Sequence, residues 1–172
     1  MDTANTEVSP PAADAVTALY AEHAIGLVRL AVILLGDQAA AEDVVQDAFL
    51  GLYRRWDSLA EASHPLAYVR TSVLNGCRSA LRRESRRGLA AVFSQPPSES
   101  AEARALVSEE YRAVVSAIRR LPARQREALL LRYYLDMSED EISRTMGISR
   151  GTVKSATSRA LAAIGRILTE ES

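Results

Sequence analysis

The chain has 172 residues, of which 48% are hydrophobic and 5% aromatic, and its formal net charge is −1. This length suffices for one ordinary domain or two small ones. The single cysteine, Cys77, excludes an internal disulfide framework and a multi-cysteine zinc site. Two histidines leave little for a metal centre, and the chain has no catalytic triad and no Gly-rich phosphate loop. We therefore expect neither an enzyme nor a bound cofactor or metal.

Charge is unevenly distributed along the chain. Residues 1–53 contain 8 acidic side chains and 1 basic one, whereas residues 54–87 contain 8 basic and 3 acidic side chains. Residues 148–166 contain 4 basic side chains and no acidic one. Because phosphate attraction depends on local patches rather than on the total charge, the two basic stretches are candidates for nucleic-acid binding.

Apolar residues spaced three and four apart predict three helices in the first half, at residues 14–34, 38–56 and 65–87. Residues 1–13 form a polar tail that we expect to be disordered, and residues 57–64 are predicted to form a polar loop. The N-terminus lacks the features of a signal peptide, and Arg29 interrupts the longest apolar run, at residues 27–35. We expect a cytoplasmic protein.

The second predicted helix has a polar outer face that carries Asp43, Gln46, Asp47, Leu50 and Arg54. Its two aspartates are one turn apart and share that face. No histidine or cysteine is nearby to complete a metal or acid–base site. The pattern fits a solvated face or a docking face for a basic partner, and the residues alone favour the solvated one.

The third predicted helix carries a polar stripe of Asn75, Arg78 and Arg82, which are spaced by three and four residues. A basic stripe on a helix is usually only solvated. Here an asparagine lies in register with arginines, and this combination can contact bases as well as phosphates.

Residues 88–105 are predicted to be a flexible linker, because Pro96-Pro97 breaks a helix and the stretch after it is rich in Ser and Glu. The chain therefore divides into two small helical domains, at residues 14–87 and 106–172, and the fold class is all-α. In the second domain, helices are expected at residues 103–120 and from Leu121-Pro122 to about Leu135.

Residues 138–161 have the pattern of a helix-turn-helix. Ser138 and Glu141 have the spacing of a capping box, Gly147 ends the first helix, and Ser149 can cap the second. The second helix has an apolar stripe that ends at Leu161. Its other face carries cations and hydroxyls suited to phosphates and base edges: Arg150, Lys154, Ser155, Ser158 and Arg159.

Three stretches in this order resemble the extracytoplasmic-function (ECF) group of bacterial RNA polymerase sigma factors, and look most like its actinobacterial SigE-like subgroup. AEDVVQDAFLGLYRRW (residues 41–56) resembles the polymerase-docking helix of the family, and HPLAYVRTSVLNGCRSALRR (residues 64–83) resembles the helix that meets the −10 promoter element. Residues 121–161 resemble the −35-reading domain. The sequence departs from the common pattern at Ser79, where many relatives have an acidic residue, and at Ser143, where many have alanine.

The resemblance implies a role for each candidate surface. Asp43, Gln46, Asp47, Leu50 and Arg54 would dock on the clamp helices of the largest polymerase subunit. His64, Tyr68, Asn75, Arg78 and Arg82 would contact the −10 element. Ser149, Arg150, Thr152, Lys154, Ser155, Ser158 and Arg159 would contact the −35 element, while the second domain packs on the flap of the second-largest subunit. An anti-sigma factor is a partner that the resemblance leaves open.

Two other classes of protein remain open at this point. A stand-alone helix-turn-helix regulator would bind its promoter tightly without polymerase. An adaptor or antagonist would occupy polymerase without reading DNA. Substitution of Arg150, Lys154 and Arg159 would leave the adaptor's activity intact.

Overall fold

A computed structural model of the protein describes residues 12–60, 64–88 and 109–170. In these residues the chain forms only helices and connecting turns. The helices are α1 (Ala12–Leu35), α2 (Gln38–Arg54), α3 (Trp56–Ala60), α4 (Pro65–Gly88), α5 (Glu109–Arg120), α6 (Ala123–Tyr133), α7 (Glu139–Met146) and α8 (Arg150–Glu170). The all-α class predicted from the sequence is therefore confirmed. Apart from Gly88, the predicted linker lies outside the described residues.

Helices α1, α2 and α4 pack together into the first helical unit. Gly36 has a φ of +78°, a value that glycine adopts without steric cost, and it ends α1. Asp37 then caps α2, because its carboxylate accepts a hydrogen bond of 2.7 Å from the backbone N–H of Ala40. The apolar faces of α1, α2 and α4 meet in a fully buried core that includes Leu27, Leu30, Val45, Leu52, Val69 and Val73.

The structure corrects three expectations in this half. The sequence predicts a loop at residues 57–64, but residues 57–60 belong to α3. The second helix is predicted to reach residue 56 but ends at Arg54. Helix α1 starts at Ala12, inside the predicted tail, and residues 1–11 lie outside the described part. Tyr53, at a helical spacing that predicts burial, is 51% exposed.

Helix α1 is long and apolar enough to cross a membrane by length and composition alone. The core helix of a globular domain passes the same test, so this finding is weak evidence. Six of its residues are buried, all of them between Ala24 and Leu34. Its apolar character is accounted for by packing against α2 and α4.

The second unit consists of α5 to α8 and contains the predicted helix-turn-helix. The capping box is present: the Ser138 hydroxyl accepts from the backbone N–H of Glu141, and the Glu141 carboxylate accepts from the backbone N–H of Ser138. These bonds hold the pKa of Glu141 below its ordinary value. Gly147 ends α7 with a φ of 66°, in the left-handed region. Helix α8 continues to Glu170, beyond residue 161, where the helix-turn-helix pattern ends, and Leu161 of its apolar stripe is 47% exposed.

The two units pack against each other. Helix α4 contacts α7, and α1 contacts both α5 and α6. Buried residues of both units, among them Leu74 of α4 and Leu121 between α5 and α6, belong to one continuous hydrophobic cluster. The arrangement places the basic stripe of α4 beside the second unit.

Candidate partner-binding and nucleic-acid-binding surfaces

The predicted docking residues of α2 lie on one exposed face. All five are solvent-exposed: Asp43, Gln46, Asp47, Leu50 and Arg54. Beside them an open apolar groove of about 460 Å³ runs between α1 and α2, lined by Val16, Tyr20, Gln46, Phe49, Leu50 and Tyr53 among others. The rings of Tyr20 and Phe49 meet edge to face with centroids 5.0 Å apart. The face thus combines carboxylates with an apolar groove, and Gln46 and Leu50 belong to both.

The described residues contain no group of three or more His, Cys, Asp or Glu side chains arranged to hold a metal ion. Asp43 and Asp47 therefore lack the ligands that a metal site on this face would need. Two exposed carboxylates beside an apolar groove are chemically suited to a basic protein partner.

The candidate −10 residues occupy the start and one side of α4. His64 is exposed just before the helix, and Tyr68 is half-buried between α2 and α4. A groove of about 360 Å³ between these helices is lined by Asp47, Tyr68, Ser72, Asn75, Gly76, Ser79 and Arg83 together with Val44 and Ala48. It brings Tyr68 and Asn75 together and adds Arg83, which is not among the candidate −10 residues.

Arg78 and Arg82 are both held by neighbouring side chains. Arg82 Nη2 donates to the Ser79 hydroxyl over 3.0 Å, so the serine that departs from the common pattern is a hydrogen-bond partner. Arg78 donates to both carboxylate oxygens of Glu127 in α6, over 2.9 Å and 2.6 Å, and to Asn75 Oδ1 over 3.3 Å. The bonds to Glu127 raise the pKa of the Arg78 guanidinium above its ordinary value, against the opposite effect of burial.

The candidate −35 residues lie at the start and along the outer face of α8. Ser149 caps the helix, because its hydroxyl accepts from the backbone N–H of Thr152 over 3.1 Å and lies 2.8 Å from the Thr152 hydroxyl. The Ser155 hydroxyl donates to the Thr152 carbonyl. Three hydroxyl candidates are thus engaged locally at the helix start.

Exposed side chains also line the outer face of α8. Arg150, Lys154 and Ser158 are spaced four apart on one face, with Arg159 beside them, and all four are exposed. Arg150 Nε lies 3.1 Å from a carboxylate oxygen of Asp140 in α7. Because this contact engages the Nε edge of the guanidinium, the carboxylate orients the group.

The second departure from the common pattern, Ser143, is explained by the turn. Its hydroxyl donates to the backbone carbonyl of Ile148 over 2.5 Å, and the backbone N–H of Ile148 donates to the Ser143 carbonyl over 3.1 Å. The serine is therefore held by local hydrogen bonds at the turn. It fastens the end of α7 to the residue before the α8 cap.

Sequence reasoning missed three polar contacts, two of which hold candidate DNA-binding residues. Glu127 binds Arg78, Asp140 binds Arg150, and Arg119 Nη2 donates to the Val32 carbonyl over 3.2 Å. Glu127 and Arg119 act across the boundary between the units, where spacing along one helix carries no signal. Asp140, in the acidic first turn of α7, could have been suspected from its place beside the turn.

Comparison with known proteins defines the class. Residues 19–87 match the family model for sigma-70 region 2, and residues 111–164 match the model for sigma-70 region 4. The chain is a bacterial RNA polymerase sigma factor: it binds core polymerase and directs initiation at promoters through −10 and −35 recognition. Sigma factors of this kind are typically non-enzymatic regulators of transcription initiation.

Relatives place the chain more narrowly, and it belongs to the ECF group. It is 31% identical to the ECF sigma factor SigL of Mycobacterium tuberculosis over 156 residues, which cover 89% of this chain and 88% of that one. It is also 31% identical to the sigma-E factor of Streptomyces avermitilis over 136 residues, covering 79% and 75%. Its fold matches the sigma factor RpoE of Bartonella quintana, solved in complex with the anti-sigma factor NepR, with a TM-score of 0.78, 24% identity and coverage of 91% and 98%.

Proposed function

We propose that the exposed face of α2 docks on the clamp helices of the largest polymerase subunit. Asp43 and Asp47 supply carboxylates for charge-assisted bonds to basic side chains. Leu50 and the adjoining groove supply apolar area, which an anchoring interface buries at its centre. The combination of acidic and apolar side chains on one exposed face supports this assignment over a merely solvated face.

We propose further that α4 and α8 contact the two promoter elements. In this assignment the groove between α2 and α4, which Tyr68 and Asn75 line, receives the −10 strand. Arg78 and Arg82 bind the base edges or the backbone of that strand. Helix α8 enters the −35 major groove, where Arg150 can read a guanine. The row of exposed cations on a capped α8 is the observation that carries this assignment.

The remaining surfaces complete the proposed complex. Exposed apolar side chains of the second unit, such as Val114 and Tyr133, supply area for the polymerase flap. An anti-sigma factor, the partner seen with the Bartonella quintana relative, is a proposed regulator of this chain as well. The chain itself performs no catalysis in this scheme and acts in the cytoplasm.

Run-off transcription tests the promoter assignment. Purified core polymerase with the wild-type chain should initiate at mapped sites, and Arg150→Ala should reduce initiation about fivefold or more, since a good arginine–base pair contributes roughly 1–3 kcal/mol. Arg166→Ala removes an exposed cation further along α8 and serves as the matched control. Equal activity of all three chains would refute the −35 role of α8.

A binding measurement tests the docking assignment separately. The double variant Asp43→Ala/Gln46→Ala should weaken binding of fluorescently labelled chain to core polymerase by about tenfold or more. Glu22→Ala removes an exposed carboxylate of α1 and should leave the affinity unchanged. Unchanged core affinity of the double variant would remove the docking role of α2.

A further inference from the structure

An apolar groove at the start of α1 stays open to solvent among the described residues. It runs between the first turns of α1 and the end of α2 and has a volume of about 460 Å³. Three large side chains that line it, Tyr20, Leu50 and Tyr53, are 42%, 50% and 51% exposed. Because contiguous exposed apolar side chains usually mark a binding surface, this groove is suited to receive a further segment of polypeptide.

Residues 1–11 directly precede the part of α1 that forms this groove. The described residues begin at Ala12, and the groove is lined by Ala13 and Val16 in the turns that follow. At 1.5 Å per residue, the side of α1 from Ala13 to Tyr20 is roughly 10 Å long. Residues 1–11 span up to roughly 36 Å, at about 3.3 Å per residue. They are therefore long enough to turn back and follow the groove over its whole length.

The composition of residues 1–11 suits an extended run on an apolar surface. Pro10 and Pro11 are poorly tolerated inside a helix, because proline lacks the backbone N–H and clashes with the preceding turn. Each residue before a proline also favours extended backbone. Val8, the only branched aliphatic residue of the segment, lies two positions before this pair. The sequence therefore favours a change of direction at the prolines, with Val8 as the apolar side chain that the groove can bind.

Charge selects the end of the groove at which this segment binds. The segment carries two carboxylates, Asp2 and Glu7, and both α1 and α2 contain more carboxylates than cations. Arg54 and Arg55 directly follow Tyr53 at the end of α2, and both are exposed. An acidic segment is attracted to these two cations and repelled by the carboxylates further back along α2.

We propose that residues 1–11 bind in the groove between α1 and α2, with Val8 as the apolar anchor and Glu7 beside Arg55. The contact is intramolecular, so the high effective concentration lets a short segment with one anchor cover the groove. Gln46 and Leu50 line the groove and also belong to the proposed polymerase-docking face. The bound segment therefore competes with core polymerase, and this consequence, unlike the binding itself, rests on the proposed docking role of α2.

A spin label in the full chain tests the binding. A nitroxide on Asn5→Cys, with Cys77→Ala to leave a single thiol, should broaden the NMR amide signals of Leu50 and Tyr53. Adding Val8→Ser/Glu7→Gln should remove most of this broadening, whereas the matched pair Thr3→Ser/Ala4→Ser, which keeps the anchor and the charge, should preserve it. Equal broadening in both pairs would show that the tether alone brings the label near, and this would overturn the proposal.

Two further measurements with the same label make the test sharper. The charge-reversed pair Glu7→Arg/Arg55→Glu should restore the broadening that Glu7→Arg alone reduces, and failure to restore it would overturn the placement of Glu7. A spin-labelled chain mixed with an isotope-labelled chain that carries no spin label should leave the signals of Leu50 unchanged. Broadening in that mixture would show that a second copy of the chain fills the groove instead.

Affinity for core polymerase separates the binding of the segment from its competition with polymerase. Val8→Ser/Glu7→Gln should bind core about threefold more tightly than wild type, because a segment that covers the groove for about two-thirds of the time leaves one-third of the chains competent. Thr3→Ser/Ala4→Ser should bind core like wild type. If the spin label reports the bound segment but core affinity does not rise, the groove has no part in polymerase docking and the competition is refuted. If the specific broadening is absent while Asp43→Ala/Gln46→Ala still weakens core binding, the bound segment is refuted and the docking role of α2 stands.

Discussion

A glycine at the crossing of α2 and α4 provides a sharp test of the packing. A Cβ placed on Gly76 would lie 2.7 Å from Cγ1 of Val44, closer than carbon atoms approach in folded proteins. Val44 is buried and β-branched, so it has few other rotamers to adopt. Gly76→Ala therefore forces the helices apart or strains Val44.

Two opposing effects set the magnitude of this substitution. Replacing a helix-interior glycine with alanine normally stabilises by roughly 0.5–1 kcal/mol. Overpacking a close-packed core costs about 1–3 kcal/mol. The overlap is with a stiff buried side chain rather than a flexible tip, so we expect the cost to win and the variant to lose up to about 2 kcal/mol.

Gly26 provides the matched control, because it lies inside α1 and a Cβ added there would have no atom within 4 Å. Gly26→Ala should stabilise the chain by roughly 0.5–1 kcal/mol. Urea denaturation followed by circular dichroism measures both, and thermal melts should shift in opposite directions by about 2–4 °C per kcal/mol. If both variants stabilise equally, the close contact between α2 and α4 is wrong.

Three further predictions concern the helix-turn-helix and the buried thiol. Ser138→Ala should lower the free energy of unfolding by about 1 kcal/mol in urea denaturation at pH 7 and by less at pH 3. The capping box lowers the pKa of Glu141, so its stabilising effect is complete above the ordinary pKa of 4.5 and is lost as the pH falls through the lowered pKa. An equal cost at both pH values would contradict this. Asp140→Ala removes the carboxylate that orients Arg150, so it should relax base discrimination at the same −35 position as Arg150→Ala does. Run-off transcription from a randomised −35 library measures this discrimination. Unchanged discrimination in Asp140→Ala would argue against orientation by Asp140. Burial raises the pKa of Cys77 to about 12, and the charge of Glu127 adds to the effect. Ellman's reagent at pH 8 should therefore react slowly with the native chain and rapidly with the urea-unfolded chain. Rapid reaction of the native thiol would show that Cys77 is not buried.

The features that the sequence predicts well are those that depend on a few neighbouring residues. The capping box of Ser138 and Glu141, the left-handed Gly147 and the Asp37 cap all act within four positions. Their geometry follows from residue type and spacing. The acidic face of α2 and the basic face of α8 were predictable for the same reason, because helical periodicity alone places their members together.

The features that the sequence does not predict depend on distant packing. Tyr53 has the spacing of a core residue, but the space beside it is an open groove, so its ring stays half exposed. The partner of Arg78 is 49 positions away, and no local pattern indicates which acidic residue will reach it. Trp56 starts a short helix rather than ending the long one, since Arg55 has left helical geometry with a φ of −115° and a ψ of 13°.

These intramolecular contacts add to the effect of the net charge of −1, because both weaken the attraction of the free chain to DNA. Three arginines in or near the candidate DNA surfaces, Arg70, Arg78 and Arg150, each face a carboxylate of the same chain. Intramolecular pairing of this kind lowers the positive potential that a free chain offers to DNA, and salt-dependent attraction to phosphates falls with it. In the proposed scheme, polymerase docking through α2 supplies the attachment that such a chain lacks, because it converts promoter contact into an event at high effective concentration. If the proposed promoter contacts hold, weak DNA binding alone and specific initiation in the holoenzyme have one physical cause: the candidate cations are paired within the free chain, and the polymerase brings a competing acceptor close to them.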